Sequence, residues 1–524
     1  MEENIESSFL FDGLSEHIND DQCISSDYAN LVTENKGVAV GTLMPIPTVQ
    51  PRPIPNEPFS LPSVTDCHHC GAKKFPYETP KFCCSGGNTS LYPTQIPPQL
   101  QTLYSGFGPD SMHFLQYIKP YNDIFAFTSM GVHLDPVYTK RTNGIYTFRA
   151  QGQIYHFIDS LYPSGQMPAY LQLYFYDTEK EVENRKADKN KLSEDIISEL
   201  IHVLNMNPYS QFFRSLREIP NIEEYEIRLK PNPQINHQTA QPPSVSQVAV
   251  MWIEDEEAAE LNERDIVVHK HDGHSQRISH YYGCYDPLQY PLLFPLGEPG
   301  WHQGIKKTKP LDALQLSPGQ RKISPRHSTT AEQLLANEAV VRKTNADKEH
   351  MVSAREFYAY RFQIRRDTNT ILLESARLLQ QYAADMYVKI ETSRLDYFKH
   401  RQKEIRADLY QGIVDSVNHG ESDASKIGAR IVLPATFVGS PRDMRKRHLD
   451  AMALVGRYGK PDLFLTMTCN PNWPEIKAEL KPHEEVQNRP DLISRIFRSK
   501  FEYLRKIVVK DELFGPVAAY TFAV

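Results

Sequence analysis

The stretch that most constrains the fold is Asp462–Pro471, Asp-Leu-Phe-Leu-Thr-Met-Thr-Cys-Asn-Pro. Its apolar residues alternate as they do in a strand that is buried on at least one face, and Asn470-Pro471 predicts a closing turn. A helix is predicted next at Leu492–Ile507, followed by a second apolar strand at Val517–Val524. These three elements predict a strand–helix–strand unit at the C-terminal end. The length of 524 residues predicts roughly three domains, and we expect a multidomain protein of the α+β class.

Composition limits the compartment and the kinds of partner. The 524 residues carry 58 Lys and Arg against 65 Asp and Glu, for a net charge of −7, so any nucleic-acid contact must come from local basic patches. The N-terminus has no signal peptide, and the sequence has no apolar run of about 18 residues. We therefore expect a soluble intracellular protein that does not contact a membrane.

Four of the seven cysteines lie close together, in Cys67-His-His-Cys70 and Cys83-Cys84. Two thiolates on one tight turn can bind a Zn²⁺ ion, and a second close pair completes a tetrahedron. We therefore predict a structural zinc site at Cys67, Cys70, Cys83 and Cys84. Two alternatives stay open: His68 or His69 could replace one thiolate, because the side chains of adjacent cysteines point apart, or the thiols could be free.

A second candidate site is the basic run after Ser440-Pro441. Ser440 as N-cap and Pro441 in the first turn predict a helix through Leu454. Positive side chains near a helix N-terminus are unfavourable, because that end of the helix dipole is also positive. A bound anion relieves this repulsion, and a DNA phosphate is one such anion. The carboxylate of Asp443 could also compensate these cations, but more weakly. The predicted DNA-binding residues are Arg442, Arg445, Lys446 and Arg447.

Further basic residues alternate with aromatic ones on the helices predicted for residues 355–406. They could hold phosphates and stack bases, or form a solvated helix face whose charge is balanced by acidic neighbours. The residues are Arg361, Arg365, Arg366, Arg394, Lys399, Arg401, Lys403 and Arg406, with Tyr358, Tyr360, Tyr397 and Phe398.

Several segments of the sequence resemble those of Helitron transposases, which are rolling-circle proteins of the HUH endonuclease family. The resemblance runs from about Cys67 to Val524 and includes the cysteine pattern, Phe437–Arg442 and the motif strand. In that family the motif strand opens the DNA-nicking domain, and here the matching residues are Phe464, Leu465, Thr466 and Thr468. The resemblance implies a nuclear protein that binds single-stranded DNA and has no small-molecule substrate.

In the family, a later strand carries a His-hydrophobic-His metal site and a later helix carries nucleophilic tyrosines. The last histidine of this sequence is His483, before the second predicted strand, so we expect an incomplete, truncated HUH-type domain. We therefore predict neither DNA nicking nor ATP hydrolysis, no catalytic residue and no divalent catalytic metal. The alternatives are a stand-alone DNA-binding or interaction protein derived from a decayed transposon, and an inactive relic.

These observations divide the sequence into five regions. Seven prolines between Pro45 and Pro62 indicate an extended linker after a disordered acidic tail. The predicted regions are a tail at 1–64, a zinc element at 65–88, a β-rich region at 89–302, a polar and basic linker at 303–350, and a helical region leading into the initiator-like strands at 351–524.

Short elements are predicted within the β-rich region. The predicted strands are Phe125–Thr128, Gly144–Phe148, Gly152–Phe157, Tyr170–Tyr176, Glu226–Leu229, Val248–Ile253 and Ile266–His269, and the predicted helix is Glu194–Leu204. His156 on such a pattern is typical of a hydrogen-bonded core histidine rather than a ligand. The prolines of Cys284–Trp301 forbid a regular helix, and its apolar residues predict a segment that lies extended against a core.

Overall fold

The computed structural model describes residues 59–134, 148, 150–161, 168–175, 180–186, 189, 191–220, 225–232, 242–253, 266–269, 276–308, 351–366, 371–400, 402, 433–482 and 484–522. Most of the predicted N-terminal tail and most of the linker at 303–350 lie outside the described residues. Four of the five residues of a strand predicted at Gly144–Phe148 also lie outside them; only Phe148 is described, and it is buried.

Helices form most of the regular structure of the described residues. They are α1 Pro98–Tyr104, α2 Pro109–Gln116, α3 Ile118–Phe125, α4 Gln172–Phe175, α5 Glu181–Lys186, α6 Glu194–Leu204, α7 Pro208–Ser215, α8 Val245–Val248, α9 Tyr285–Gln289, α10 Ala354–Arg361, α11 Ile371–Glu374, α12 Ala376–His400, α13 Pro441–Tyr458, α14 Pro474–Lys477 and α15 Pro490–Arg505. The strands are β1 Ser129–Leu134, β2 Ala150–Ile158, β3 Tyr225–Leu229, β4 Ala249–Ile253, β5 Ile266–His269 and β6 Gln276–Arg277.

The described strands form two small antiparallel sheets. One has the order β1-β2-β6, with Ser129 opposite Phe157. The other has the order β4-β3-β5, with Leu229 opposite Ala249 on one side and Ile266 on the other. Helices together with antiparallel sheets confirm the predicted α+β class.

Where local pattern and tertiary packing agree, the predicted elements are confirmed. The helix predicted at Glu194–Leu204 is α6, which buries Ile197, Leu200 and Leu204 as its spacing requires. The strands predicted at Glu226–Leu229, Val248–Ile253 and Ile266–His269 correspond to β3, β4 and β5 within one residue. The helix predicted at Leu492–Ile507 corresponds to α15, which continues into a π-helical turn at Lys506–Lys510.

Two aromatic-rich segments predicted as strands are not strands. Phe125 ends helix α3, and Ala126–Thr128 follows it as buried irregular chain whose Phe127 amide donates to the Leu288 carbonyl. Tyr170–Tyr176 contains the short helix α4. Aromatic residues favour strands because they pack well on a half-buried surface, and the crowded aromatic core around Phe127 and Tyr174 offers the same burial without a sheet.

The strands predicted at Asp462–Pro471 and Val517–Val524 are also absent from the described residues. Residues 463–470 and 516–522 carry no strand hydrogen bonding, and the side chain of Phe464 is 91% exposed. A strand is defined by a hydrogen-bonded neighbour, and no described strand lies beside either segment. The predicted turn is present, since the Asn472 amide donates to Asn470 Oδ1 at 2.9 Å.

The proline-rich segment Cys284–Trp301 lies in the core, as its apolar residues predict. Leu288, Tyr290 and Leu292 have no exposed surface, and the Tyr104 hydroxyl donates to the Leu292 carbonyl. The expectation that its prolines forbid a helix is wrong for Tyr285–Gln289, the five residues of α9. Pro287 lies in the first turn of α9, where a missing amide hydrogen costs no hydrogen bond.

The chain divides into two compact units. The described residues of the first lie in Pro62–Tyr387 and Pro474–Arg495; those of the second lie in residues 59–61, Val388–Trp473 and from Ile496 onward. The first contains both sheets and the cysteines of the predicted zinc site; the second contains α13. Among the helices of the described residues, none combines the length and the apolar character needed to cross a membrane.

Candidate metal centre and basic helix

The first pair of cysteines lies on a tight turn. The Gly71 amide donates to the Cys67 carbonyl at 2.8 Å, and the Cys67 amide donates to the Ala72 carbonyl at 2.8 Å. Gly71 has a φ of +64°, a left-handed conformation that glycine adopts without strain. The turn thereby brings the thiols of Cys67 and Cys70 to the same side of the chain.

The second pair lies on a loop of unusual backbone conformation. Ser85, Gly86 and Gly87 all have positive φ, and the amides of Gly87 and Thr89 both donate to the Cys84 carbonyl at 3.0 Å. The Gly87 amide also lies 3.2 Å from Cys84 Sγ. This amide favours the thiolate of Cys84, the form that binds metals, but the hydrogen bond with Cys70 raises the pKa of Cys84 by more.

The four sulfur atoms converge on one point. All lie within 4.8 Å of one another, and Cys84 Sγ lies 3.8 Å from the sulfurs of both Cys67 and Cys83. Zinc–sulfur bonds of about 2.3 Å at tetrahedral angles place neighbouring sulfurs about 3.8 Å apart. The donor set and its spacing therefore fit a tetrahedral Zn²⁺ ion, and the adjacency of Cys83 and Cys84 is no obstacle.

The histidines between the first two cysteines do not belong to this cluster. His68 and His69 are exposed, with ring centroids 3.8 Å apart, and His69 lies against Gly87, where a Cβ atom would come within 3.1 Å of its Nδ1. Among the described residues, the cluster consists of the four cysteines. The alternative in which a histidine replaces a thiolate is therefore not the arrangement in this structure.

The crowded sulfurs shift one another's acidity in opposite directions. Thiols of Cys83 and Cys84 that donate to Cys70 lower its pKa well below the usual range, with a smaller contribution from the Arg365 charge. The pKa of Cys83 is raised well above the usual range by its hydrogen bond with Cys70, and that of Cys84 is raised to about 11 by the same partner. In the absence of metal, Cys70 is thus the cysteine that carries negative charge most readily.

Arg365 contacts this site, although the sequence pattern indicates it only as a possible DNA contact. Its Nε donates to the Cys70 carbonyl at 3.1 Å, and an Nη lies 3.8 Å from Cys70 Sγ. A short antiparallel bridge between Ala72 and Arg365 brings it there. No local signal could have shown this contact, because 295 positions separate Arg365 from Cys70.

The basic helix α13 begins as predicted. Ser440 Oγ accepts from the Asp443 amide at 3.1 Å, and Asp443 Oδ2 accepts from the Gly439 amide at 3.0 Å. This reciprocal pair satisfies two amides at the helix start, as in a capping box. The helix continues to Tyr458, four residues beyond the predicted end.

The four predicted DNA-binding cations differ in their surroundings. Arg447 donates from Nε to both carboxylate oxygens of Asp443 at 3.0 Å, while its side chain stays 63% exposed. Arg445 and Lys446 are exposed and Arg442 is half-buried; none of these three has an ion pair within the described part of the chain. Asp443 therefore neutralises one cation and leaves three available to an external anion.

The other candidate basic face is engaged in internal contacts at several positions. Tyr358 is fully buried, Arg361 donates to Thr94 Oγ1 at 3.0 Å, and Arg365 contacts the cysteine turn. Arg401, Lys403 and Arg406 lie outside the described residues. The motif residues Phe464, Leu465, Thr466 and Thr468 are exposed and lie in irregular chain after α13, within the same unit.

Residues 357–524 match the family model described as the Helitron helicase-like domain at the N-terminus. The match begins within α10 and includes α12, the basic helix α13 and α15. No curated protein matches the chain. The resemblance found in the sequence is therefore confirmed over residues 357–524, which match the Helitron helicase-like domain family.

Proposed function

We propose that this protein binds single-stranded DNA through the start of α13, as part of a Helitron-type rolling-circle transposase acting in the nucleus. The observation that carries the proposal is the clustering of Arg442, Arg445 and Lys446 on the first two turns of an exposed helix inside the family match. The dipole at a helix N-terminus favours an anion such as a phosphate, and the three side chains add positive charge.

We further propose that Cys67, Cys70, Cys83 and Cys84 hold a structural Zn²⁺ ion. Four thiolates form a closed site, which leaves no open position for a substrate, so zinc there would fix the two turns to each other and supply folding energy.

The test of DNA binding is the salt dependence of affinity for a fluorescent oligothymidine, measured by anisotropy with the full chain. The triple variant R442A/R445A/K446A should bind more weakly, and its log–log slope should flatten by up to about 2, since each phosphate contact on a single strand contributes about 0.7. A duplex of the same length tests the preference for single strands.

The control is the triple variant K180A/K191A/R217A, which removes three exposed cations from the first unit and so changes the net charge equally. Its affinity and slope should stay close to those of the wild type. If both triple variants flatten the slope by the same amount, the attraction is one of overall charge and α13 is not the binding site.

A further inference from the structure

The loop between the two pairs of cysteines is tied to a helix of the family domain by one arginine. Arg495 of α15 donates from Nε to Glu78 Oε1 at 2.6 Å, and from an Nη to Glu78 Oε2 at 3.0 Å. The same Nη donates to the Lys73 carbonyl at 2.7 Å. The side chains of Arg495 and Glu78 are 4% and 12% exposed, so this is a nearly buried two-point ion pair.

Further contacts make the attachment specific to the loop. Glu78 Oε2 also accepts from the Phe75 amide at 3.0 Å, so the carboxylate orders its own turn as well as Arg495. The Arg495 guanidinium lies 4.7 Å from the centre of the buried Phe75 ring. Lys73 forms a second ion pair, with Glu479, which follows α14. All of these residues belong to the first unit.

The cysteines lie outside the family match, whereas their arginine partners lie inside it. Arg365 contacts Cys70 from one side, and Arg495 holds the loop between Cys70 and Cys83 from the other. A metal bound by both pairs of cysteines would hold the two ends of this loop together, and with them Glu78 and the Lys73 carbonyl that Arg495 contacts. Loss of the metal would let these groups move apart and would weaken the ion pair of a nearly buried guanidinium.

We infer that Arg495 is a positioning residue that couples the cysteine-bound metal to residues 474–495 of the Helitron helicase-like domain. Metal in the site orders this segment, and the Arg495–Glu78 pair in turn slows metal loss, because coupling between two sites is reciprocal. The inference rests on the proposed zinc site. It assigns that site a role beyond stabilising its own loop: it holds part of the domain that lies more than 390 positions further along the chain.

The experiment compares the full-length zinc-loaded wild type with Arg495→Ala, using Arg498→Ala as the matched control. Arg498 lies on the same helix and pairs with Glu502 one turn away. All three proteins should contain one zinc ion per chain. Zinc transfer to a chromogenic chelator should be about tenfold faster in R495A, a typical size for coupling between sites, and unchanged in R498A.

The second measurement is amide hydrogen exchange in peptides that cover residues 484–495. Chelation of the wild type should speed exchange there, and R495A should show the faster exchange even with zinc bound. Glu78→Gln is the second variant. It keeps a side chain of the same shape while removing the charge, and it should change both readouts in the same direction in case R495A does not fold.

Two results would overturn the inference. If zinc is bound at one per chain but leaves R495A, E78Q and the wild type at equal rates, the arginine is not coupled to the metal, although the zinc site itself stands. The same holds if chelation leaves exchange in residues 484–495 unchanged. If the wild type binds no zinc, the proposed site fails and the coupling fails with it.

Discussion

Asp385 Oδ2 accepts a hydrogen bond from His156 Nε2 at 2.8 Å, although 229 positions separate the two residues and neither has any exposed surface. The same carboxylate accepts from the hydroxyls of Tyr285 at 3.0 Å and Tyr290 at 2.8 Å. The His156 ring is stacked on Tyr285 with centroids 3.8 Å apart. His156 is thus a hydrogen-bonded core histidine, as the sequence pattern favours, and not a metal ligand among the described residues.

Replacing Asp385 should destabilise the first unit strongly. Asp385→Ala removes the acceptor that three buried donors share, and the loss of a buried hydrogen-bond partner costs about 1–3 kcal/mol, so the expected decrease in the free energy of unfolding is about 3 kcal/mol or more. Urea unfolding followed by circular dichroism measures it. Asp195→Ala removes an exposed carboxylate from α6 and should change stability by less than about 0.5 kcal/mol. Equal losses in the two variants would contradict the role of the network.

The same Gly→Ala change should have opposite effects at two positions. At Gly300 a Cβ atom would lie 2.2 Å from Cγ of the buried Asp286, whose carboxylate accepts from Tyr358 and Tyr382, so we expect destabilisation of about 2 kcal/mol or more. At Gly456, inside α13, a Cβ atom meets nothing within 4 Å, and helix propensity predicts a gain of about 1 kcal/mol. Thermal melting measures both effects: the melting temperature should fall in Gly300→Ala and rise in Gly456→Ala.

The free energy of unfolding should decrease as the pH rises towards neutrality, because Glu298 loses a proton. Burial raises the pKa of Glu298 from 4.5 to about 7, although the Leu296 amide donates to it and the Arg361 charge opposes the shift. A raised pKa means that the folded state favours the protonated form. The stabilisation is therefore complete below about pH 4.5 and is lost as pH rises through about 7, by up to about 3 kcal/mol.

Glu298→Gln is neutral at every pH and should remove this dependence. The variant should match the wild type at pH 5 and exceed it in unfolding free energy at pH 8. Urea midpoints at a series of pH values give the comparison. A constant difference between the two proteins over that range would show that Glu298 does not titrate in this way.

Releasing Arg447 from Asp443 should strengthen the response of DNA binding to salt. Asp443→Asn keeps an oxygen that can accept from the Gly439 amide but removes the charge that holds Arg447, so the slope should steepen by up to about 0.7. Asp450→Asn makes the same change in net charge at an exposed position on the same helix. If the two variants behave alike, the ion pair has no influence on binding.

Removal of one cysteine of the cluster should abolish metal binding. Cys70→Ser leaves three thiols, and the zinc content should fall from one per chain to near zero, with a lower melting temperature. Cys469→Ser, outside the cluster, should retain one zinc and the melting temperature of the wild type. Melting curves with and without chelator separate the two effects, since zinc sites can supply about 10 kcal/mol of folding energy. Loss of zinc in both variants would argue against the cluster.

Local signals in the sequence were sufficient where the interactions themselves are local. The Ser440 cap, the apolar face of α6 and the two closely spaced cysteine pairs involve residues a few positions apart, so spacing alone determined them. The turn at Asn470 belongs to the same class, because its hydrogen bond spans two residues.

Tertiary structure decided the features that depend on distant partners. Alternating apolar residues at Asp462–Pro471 satisfy the pattern of a strand, but a strand also needs a neighbour, and its absence from the described residues leaves Phe464 exposed. Phe127 obtains its burial from surrounding helices instead of a sheet. The contacts of Arg365 and Arg495 with the cysteine loop span about 300 and 420 positions, and sequence spacing carries no information about which distant side chain the folded core brings to a given turn.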